Sequence, residues 1–173
     1  DATARKSAIT AFDNAKTDIA AAKTADAVDA LVTTFKAGDN TDGLELTSDA
    51  TARKSAINAF EIAKTNIAAA LTNDEVDGYV TGFKTGANKD NIEGLDLTTV
   101  ATKQYTSIAT AAESTAEAAI GDATTNQQVG EIVTTYKAEY GTQSELIAKL
   151  ESAATSQYAD IANPHAAEAK NSI

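Results

Sequence analysis

The single histidine of the chain is the first residue to consider for catalysis or metal binding. His165 follows Pro164 near the end of the sequence, and Glu168 lies three residues further on. A Ser-His-Asp or Cys-His site would depend on this one imidazole, and there is no cysteine to act as a nucleophile. A carboxylate metal bundle needs inward Glu and His from several helices, and the sequence lacks that set. We therefore predict no catalytic, cofactor-binding or metal-binding residues.

A loop of oxygen-bearing residues offers a second possible chemistry, calcium binding. Asp39-Asn40-Thr41-Asp42-Gly43 begins like a calcium loop, but its glycine comes fifth, where the calcium template has glycine at about the sixth position. Thr41 and Gly43 also stand where ligands are needed. A backbone turn is the better interpretation.

Acidic residues recur near the starts of the short predicted helices. The helix dipole favours negative charge there, so a stabilised helix end is a better interpretation than an acid/base pair. The residues are Asp26, Asp29, Asp74, Glu75 and Asp77.

Charge and composition exclude some classes of partner. The formal net charge is −11, with a pI near 4.4, so the chain lacks the basic surface that a nucleic-acid backbone requires. No apolar run approaches the roughly 20 residues of a transmembrane helix. The absence of methionine predicts a processed or excised chain, and the absence of cysteine is compatible with an extracellular protein.

The organisation of the chain is dominated by an internal repeat. Residues 1–38 return nearly letter for letter as residues 49–86, and a degenerate third copy follows. In each copy a long helix with a heptad stripe precedes a short amphipathic helix. Tandem duplication is typical of spacers, arrays and repeated binding faces.

Local signals set the predicted helix boundaries. Thr24 is predicted to cap the first short helix, and Thr72-Glu75 and Thr125-Gln128 form capping boxes in the later copies. Glycines are predicted to end the short helices. Two leucine pairs, Leu44 with Leu46 and Leu95 with Leu97, are predicted to plug the ends of the helical units just before Thr or Ser residues that cap the next long helix.

One position near the end of each short helix is aromatic in all three copies. Phe35, Phe83 and Tyr136 lie at helical spacing from a valine, which predicts core positions. Gly78, Gly82 and Gly130, inside short helices, indicate either a closely packed neighbour or sequence drift.

A further long helix is predicted from Gln143 to Ala162, with its end at Asn163-Pro164 because the residue before proline is forced out of the helical region. This helix is interpreted as a cap for the array. The outer face of this unit is predicted to be polar, with Glu113, Glu117, Glu151 and Asp160 on its two long helices.

The stretch from Ile19 to Val32 resembles the last helix junction of the albumin-binding GA modules and, more loosely, the Ala-rich helical repeats of Gram-positive cell-wall surface proteins. In these families a helix ends at an Ala-Lys-Thr or Ala-Thr cap before a Val-x-x-Leu-Val helix. The resemblance implies an extracellular or cell-wall location. Albumin binding is not carried over, because residues 2–22 are predicted to form one helix where the GA family has an interruption.

We therefore predict an all-α fold of about seven helices, arranged as tandem helical-hairpin repeats with a three-helix terminal bundle; a single continuous bundle is the alternative. The segments are repeat 1 (1–47), repeat 2 (48–97), a degenerate repeat 3 with a capping helix (98–163) and a flexible tail (164–173).

The predicted function is a non-enzymatic extracellular module, acting as a spacer or as an adhesin or binding segment of a surface protein. The alternatives are a structural subunit that self-assembles into a fibre or layer, and a bundle that carries a small apolar ligand. The expected partner is a protein or another copy of the chain, and the binding residues are unknown.

Overall fold

The computed structural model describes the backbone of residues 1–171 and the side chains of residues 1–163. This part of the chain is all-helical and contains no β-strand. It holds seven α-helices and one short 3₁₀ helix, Lys89–Asn91. The α-helices are α1 (Ala2–Ala21), α2 (Ala25–Lys36), α3 (Thr47–Ala69), α4 (Asn73–Thr85), α5 (Thr98–Asp122), α6 (Asn126–Tyr140) and α7 (Ser144–Asn171). The predicted all-α class and the number of helices are confirmed.

The chain divides into two compact units, Asp1–Thr102 and Lys103–Ile173. In the first unit, α1 packs against α2, both of these helices contact α3, and α3 packs against α4. In the second unit, α6 packs against α7. The first unit therefore brings the two nearly identical copies of the sequence together, through α3.

The predicted starts of the short helices are confirmed by their hydrogen bonds. The Thr24 hydroxyl accepts a bond from the Ala27 amide at the start of α2. Thr72 and Glu75 form a reciprocal capping box at the start of α4, and Thr125 and Gln128 form one at α6. Each box satisfies amides that would otherwise lack a partner in the first turn.

Two predicted helix boundaries are wrong. The residue that caps α3 is Leu46, whose side chain makes no capping bond, so the predicted Thr or Ser cap is absent. Leu46 is nonetheless almost completely buried, and its burial fixes the entry to the helix in place of a side-chain cap. The last helix does not end at Asn163, because α7 continues through Pro164 to Asn171. A proline inside a helix removes one backbone hydrogen bond and crowds the carbonyl four residues earlier, which costs about 3 kcal/mol but need not end the helix.

The predicted flexible tail, 164–173, falls on residues whose side chains lie outside the described part of the chain. For residues 172–173 the backbone lies outside it as well.

The cores of the first two copies are built alike. Phe12 packs against Phe35 with ring centroids 5.7 Å apart, and Phe60 packs against Phe83 at the same 5.7 Å. Phe35, Phe83 and Tyr136 are buried, as the sequence predicts. Of the leucine pairs, Leu46, Leu95 and Leu97 are buried and Leu44 is half-buried.

The second unit has its own core, to which three helices contribute. Ile120 of α5, Val129 and Tyr136 of α6, and Leu150 and Ala154 of α7 form one buried cluster. The Tyr136 hydroxyl donates a hydrogen bond to the Ala109 carbonyl oxygen at 3.0 Å, which ties α6 to α5.

The glycines inside α4 are not required by a close neighbour. A Cβ added at Gly78 or Gly82 would meet no other atom within 4 Å. For Gly78 and Gly82, a closely packed neighbour is therefore excluded among the described residues. A Cβ at Gly130 would lie 3.6 Å from the Tyr158 hydroxyl oxygen, which is an ordinary contact. At Gly86, in contrast, a Cβ would lie 2.7 Å from the Gly82 carbonyl oxygen.

Replacing these helix glycines by alanine is expected to stabilise the chain. Gly78→Ala and Gly82→Ala should each raise the free energy of unfolding by about 1 kcal/mol, because alanine loses less backbone entropy in a helix. Urea denaturation followed by far-UV circular dichroism measures this change. Gly86→Ala is the matched control and should destabilise; a loss of stability at Gly78 or Gly82 as well would contradict the prediction.

Candidate functional site

The residues first considered for chemistry do not form a described site. The side chains of His165 and Glu168 lie outside the described part of the chain. Among the residues that are described, no group of three or more His, Cys, Asp or Glu side chains lies close enough to hold a metal ion.

The loop from Asp39 to Gly43 is a turn that binds a side chain of the protein itself. Arg5 of α1 donates hydrogen bonds from Nη1 to the carbonyl oxygens of Asn40 and Asp42, at 2.7 and 2.9 Å. Asn40 and Gly43 both have positive φ, 58° and 75°, as tight turns often require. Two backbone carbonyls of this loop are therefore occupied by a guanidinium group of the same chain.

The equivalent arginine of the second copy, Arg53, is the most deeply buried charged group that the structure describes. Only 1% of its surface is exposed. Its Nη1 and Nη2 bind the carbonyl oxygens of Asn91 and Glu93, at 2.5 and 2.9 Å, which repeats the contact of Arg5 with its own loop. Its Nε donates a third hydrogen bond, at 2.7 Å, to the carbonyl oxygen of Ala22 in the first copy.

The bond to Ala22 joins the two copies. Ala22 ends α1, where unpaired carbonyls concentrate partial negative charge that favours a cation. Burial lowers the pKa of Arg53, and the charge of Glu93 acts against that shift; an arginine stays charged in either case. Two ion pairs flank the junction, Lys54 with Asp29 at 2.7 Å and Lys16 with Asp49 at 3.9 Å.

Sequence reasoning did not single out the two arginines, although a signal was present. Arg5 and Arg53 are the only arginines of the chain, and they occupy the same position in the first two copies. Every other basic side chain, apart from the one histidine, is a lysine. Since arginine provides a planar fork of donors that lysine lacks, its restriction to this position indicates a multi-carbonyl contact.

Two of the acidic residues near the starts of the short helices, Glu75 and Asp29, have defined contacts. Glu75 accepts hydrogen bonds from the amides of Leu71 and Thr72. Asp29 pairs with Lys54, as described above. The contact of Glu75 agrees with the interpretation as a helix-end stabiliser, whereas that of Asp29 joins two helices.

The prediction that Glu113 lies on a polar outer face is wrong, because this residue is buried. It lies on α5 with 5% of its surface exposed, and its Oε1 accepts no hydrogen bond from the described residues. Burial raises its pKa, and the nearby Glu117 raises it further. Glu117, Glu151 and Asp160 are not buried, as predicted, so the error is confined to the one carboxyl on the inner side of α5.

The pKa of Glu113 makes stability depend on pH. The folded chain holds this proton at pH values where the unfolded chain, near the ordinary pKa of 4.5, has released it. The stabilising contribution is therefore complete below the ordinary pKa and is lost as pH rises through the folded pKa.

Glu113→Gln should raise the free energy of unfolding at pH 7 by about 1 kcal/mol or more, because the amide requires neither a buried charge nor the uptake of a proton on folding. The gain should disappear near pH 4. Urea denaturation at both pH values measures the change, with the exposed Glu117→Gln as the control for lost charge repulsion. A gain that is the same at both pH values would contradict the assigned burial of Glu113.

The two tyrosines of α6 are held as neutral phenols. Their rings lie 4.8 Å apart. Burial, followed by the charge of Glu113, raises the pKa of Tyr136, and burial together with Glu139 raises the pKa of Tyr140 to about 12. Neither phenol is therefore available as a base at neutral pH.

One open groove of about 600 Å³ lies in the first unit, between α1 and α2. Its apolar wall includes Leu31 and Phe35, and its rim carries Asn14, Asp18 and Asn40. A groove with this mixed lining has the size of a small-molecule site but lacks convergent reactive groups.

No protein-family model, curated protein or solved structure matches this chain. No helix in the described range is both long enough and apolar enough to span a membrane. The geometry of the chain itself is therefore the basis on which a function can be proposed.

Proposed function

We propose that this chain is a non-enzymatic helical repeat segment of an extracellular or cell-wall protein, which acts as a spacer or as a binding segment. The observation that carries the proposal is the repetition of structural contacts. The Phe12–Phe35 and Phe60–Phe83 pairs have the same 5.7 Å separation, and Arg5 and Arg53 bind equivalent loop carbonyls. A sequence that duplicates its core and its junctions gains length, whereas an active site is usually built once.

The proposed architecture is a pair of helical hairpins followed by a three-helix terminal bundle. The contacts of α1 with α2 and of α3 with α4 support the hairpins. The shared core of α5, α6 and α7 supports the terminal bundle, in which α7 is the capping helix.

A binding role is supported by exposed apolar side chains in the second copy. Leu71 is 82% exposed, and Ile62 and Tyr79 are also exposed. The first copy has Lys23, Asn14 and Leu31 at the equivalent positions. Leu71 and Ile62 replace polar residues of the first copy, so the core that the copies share does not need them and they are available for contact with a partner.

Two further functions are alternatives. Self-assembly into a fibre or layer requires a surface that another copy can cover. The α1–α2 groove favours the second alternative, in which the chain carries a small apolar ligand, because its volume and its leucine and phenylalanine wall suit such a molecule.

Surface display of the full chain tests the proposal. The chain is anchored to a bacterial cell by its C-terminus, with an epitope at its N-terminus, and is compared with a Leu71→Ser, Ile62→Ser, Tyr79→Ser variant. A spacer exposes the epitope to a large antibody probe equally well in both. A binding segment mediates adhesion to a protein-coated surface that the triple variant loses.

Two results would overturn the proposal. The first is an epitope that stays hidden, together with no adhesion by the unmodified chain. The second is saturable 1:1 binding of an apolar fluorescent dye that a Leu31→Asp substitution in the groove abolishes, because this would identify a ligand carrier. Light scattering of the purified chain distinguishes the self-assembly alternative, because a chain that assembles into a fibre or layer should form large particles.

A further inference from the structure

The two copies in the first unit differ in how deeply one helical stripe is buried. Ala50, Arg53 and Ile57 lie along one face of α3 and are all buried. The same stripe in the first copy is Ala2, Arg5 and Ile9 of α1, which we call the N-terminal stripe. Ile57 is 6% exposed, whereas Ile9 is 44% exposed, although the two isoleucines lie in nearly identical sequence.

The difference follows from what precedes each copy. The α3 stripe belongs to the helix that contacts α1 and α2, and Arg53 on that stripe binds Ala22 at the end of α1. Beside the stripe, Lys54 reaches Asp29 of α2. The hairpin of the first copy therefore covers the α3 stripe, and no described residue covers the N-terminal stripe in the same way.

Within the described residues, the N-terminal stripe carries a free hydrogen-bond donor and two adjacent charged residues that a further hairpin could bind. Arg5 makes both of its hydrogen bonds through Nη1, so its Nε, the atom that Arg53 uses to bind Ala22, has no partner among the described residues. Asp1 and Lys6 stand at the positions of Asp49 and Lys54, which pair with Lys16 and Asp29 of the covering hairpin. The charges on both sides are therefore complementary.

The other end of the chain does not supply this hairpin. Ala123 follows the long helix of the third copy as Ala22 follows that of the first. In both copies the backbone N–H of this alanine donates a hydrogen bond to the carbonyl oxygen of the isoleucine three residues earlier. Its carbonyl oxygen already accepts a hydrogen bond from Gln157 of α7, at 2.7 Å. The carbonyl of Ala22 is bound by Arg53, and Ala70 also has an interaction partner. In a natively folded second copy of this chain, the carbonyls of Ala22 and Ala123 are thus already hydrogen-bonded, so a further hairpin of the repeat is the better match for Arg5.

We propose that the N-terminal stripe is a docking surface for a further helical hairpin of the repeat, of the type formed by residues 1–36. In the docked state, the Nε of Arg5 binds the last carbonyl of the incoming long helix and Ile9 becomes buried. This inference rests on the repeat organisation under the proposed function, and it adds the surface, the residues and the partner.

Single-thiol labelling tests the docking, because the natural chain has no cysteine. Ile9→Cys and Ile57→Cys are each placed in the full chain and in an extended chain with a second copy of residues 1–48 fused ahead of Asp1. This fusion recreates the natural Ser48–Asp49 junction. In the unextended chain, the thiol of Ile57→Cys should react with a thiol reagent about tenfold more slowly than the thiol of Ile9→Cys, or slower still. In the extended chain, the thiol of Ile9→Cys should slow to the rate measured for Ile57→Cys.

Two controls make the result specific. An extension of equal length made of glycine and serine should leave the thiol of Ile9→Cys fast, and Leu71→Cys should react fast in every chain. Adding Arg5→Met to the extended chain should restore part of the reactivity of Ile9→Cys.

Two outcomes would count against the inference, and they are distinguishable. If the thiol of Ile9→Cys stays fast in the extended chain while that of Ile57→Cys is protected, the docking surface alone is overturned. If the thiol of Ile57→Cys reacts as fast as that of Ile9→Cys in the unextended chain, the packing of the copies is overturned, and with it the proposed repeat organisation.

Discussion

Phe83→Ala is expected to lower the free energy of unfolding by about 3–5 kcal/mol, which is the range for an emptied aromatic core site. Phe83 is buried, and its ring packs against Phe60. The substitution removes this ring contact and leaves a cavity between α3 and α4. Urea denaturation followed by far-UV circular dichroism measures the loss.

The matched control for this prediction lies in the same copy. Leu71→Ala removes a side chain that is 82% exposed and should change the denaturation midpoint little. If Phe83→Ala left the midpoint unchanged, Phe83 would have to lie on a surface, and the core of the second copy would have been assigned wrongly.

Arg53→Met should destabilise the first unit by about 2–3 kcal/mol, since it leaves the buried carbonyl of Ala22 and the partly buried carbonyls of Asn91 and Glu93 without this partner, at roughly 1 kcal/mol each. Methionine has a similar length and fills the space of the side chain, so the loss reports on the hydrogen bonds and the charge. Arg53→Lys should recover only part of the stability, because one ammonium group cannot reproduce the planar fork.

The equivalent substitution in the first copy is the control for Arg53. Arg5 binds two carbonyls through one nitrogen at a partly exposed site, so Arg5→Met should cost about 1 kcal/mol. Equal losses at both positions would contradict the view that Arg53 carries an additional bond between the copies.

Local signals predicted the helix starts well because each depends on neighbours in sequence. The caps at Thr24, Thr72 and Thr125 need only a hydroxyl and an amide a few residues away. The aromatic core positions were predictable for a related reason, since helical periodicity places Phe35 and Phe83 on the inner face together with a valine.

The features that sequence reasoning missed depend on distant parts of the chain. The burial of Arg53 requires carbonyls from residues 22, 91 and 93, which the repeat alone does not bring together. Glu113 looks like a solvated charge until the packing of α5 places it inside. The start of α3 at Leu46 depends on burial of a leucine, which replaces the missing cap.

Native-state hydrogen exchange of the full chain tests most directly the central claim that Arg53 joins the first copy to the second. We predict that the most protected amides of α1 and α3 open with the same free energy in the natural chain. In Arg53→Met, α1 should exchange faster than α3, because the bond to Ala22 is lost. If Arg53→Met left the protection of α1 relative to α3 unchanged, the copies would not be coupled through this arginine and the account would be wrong.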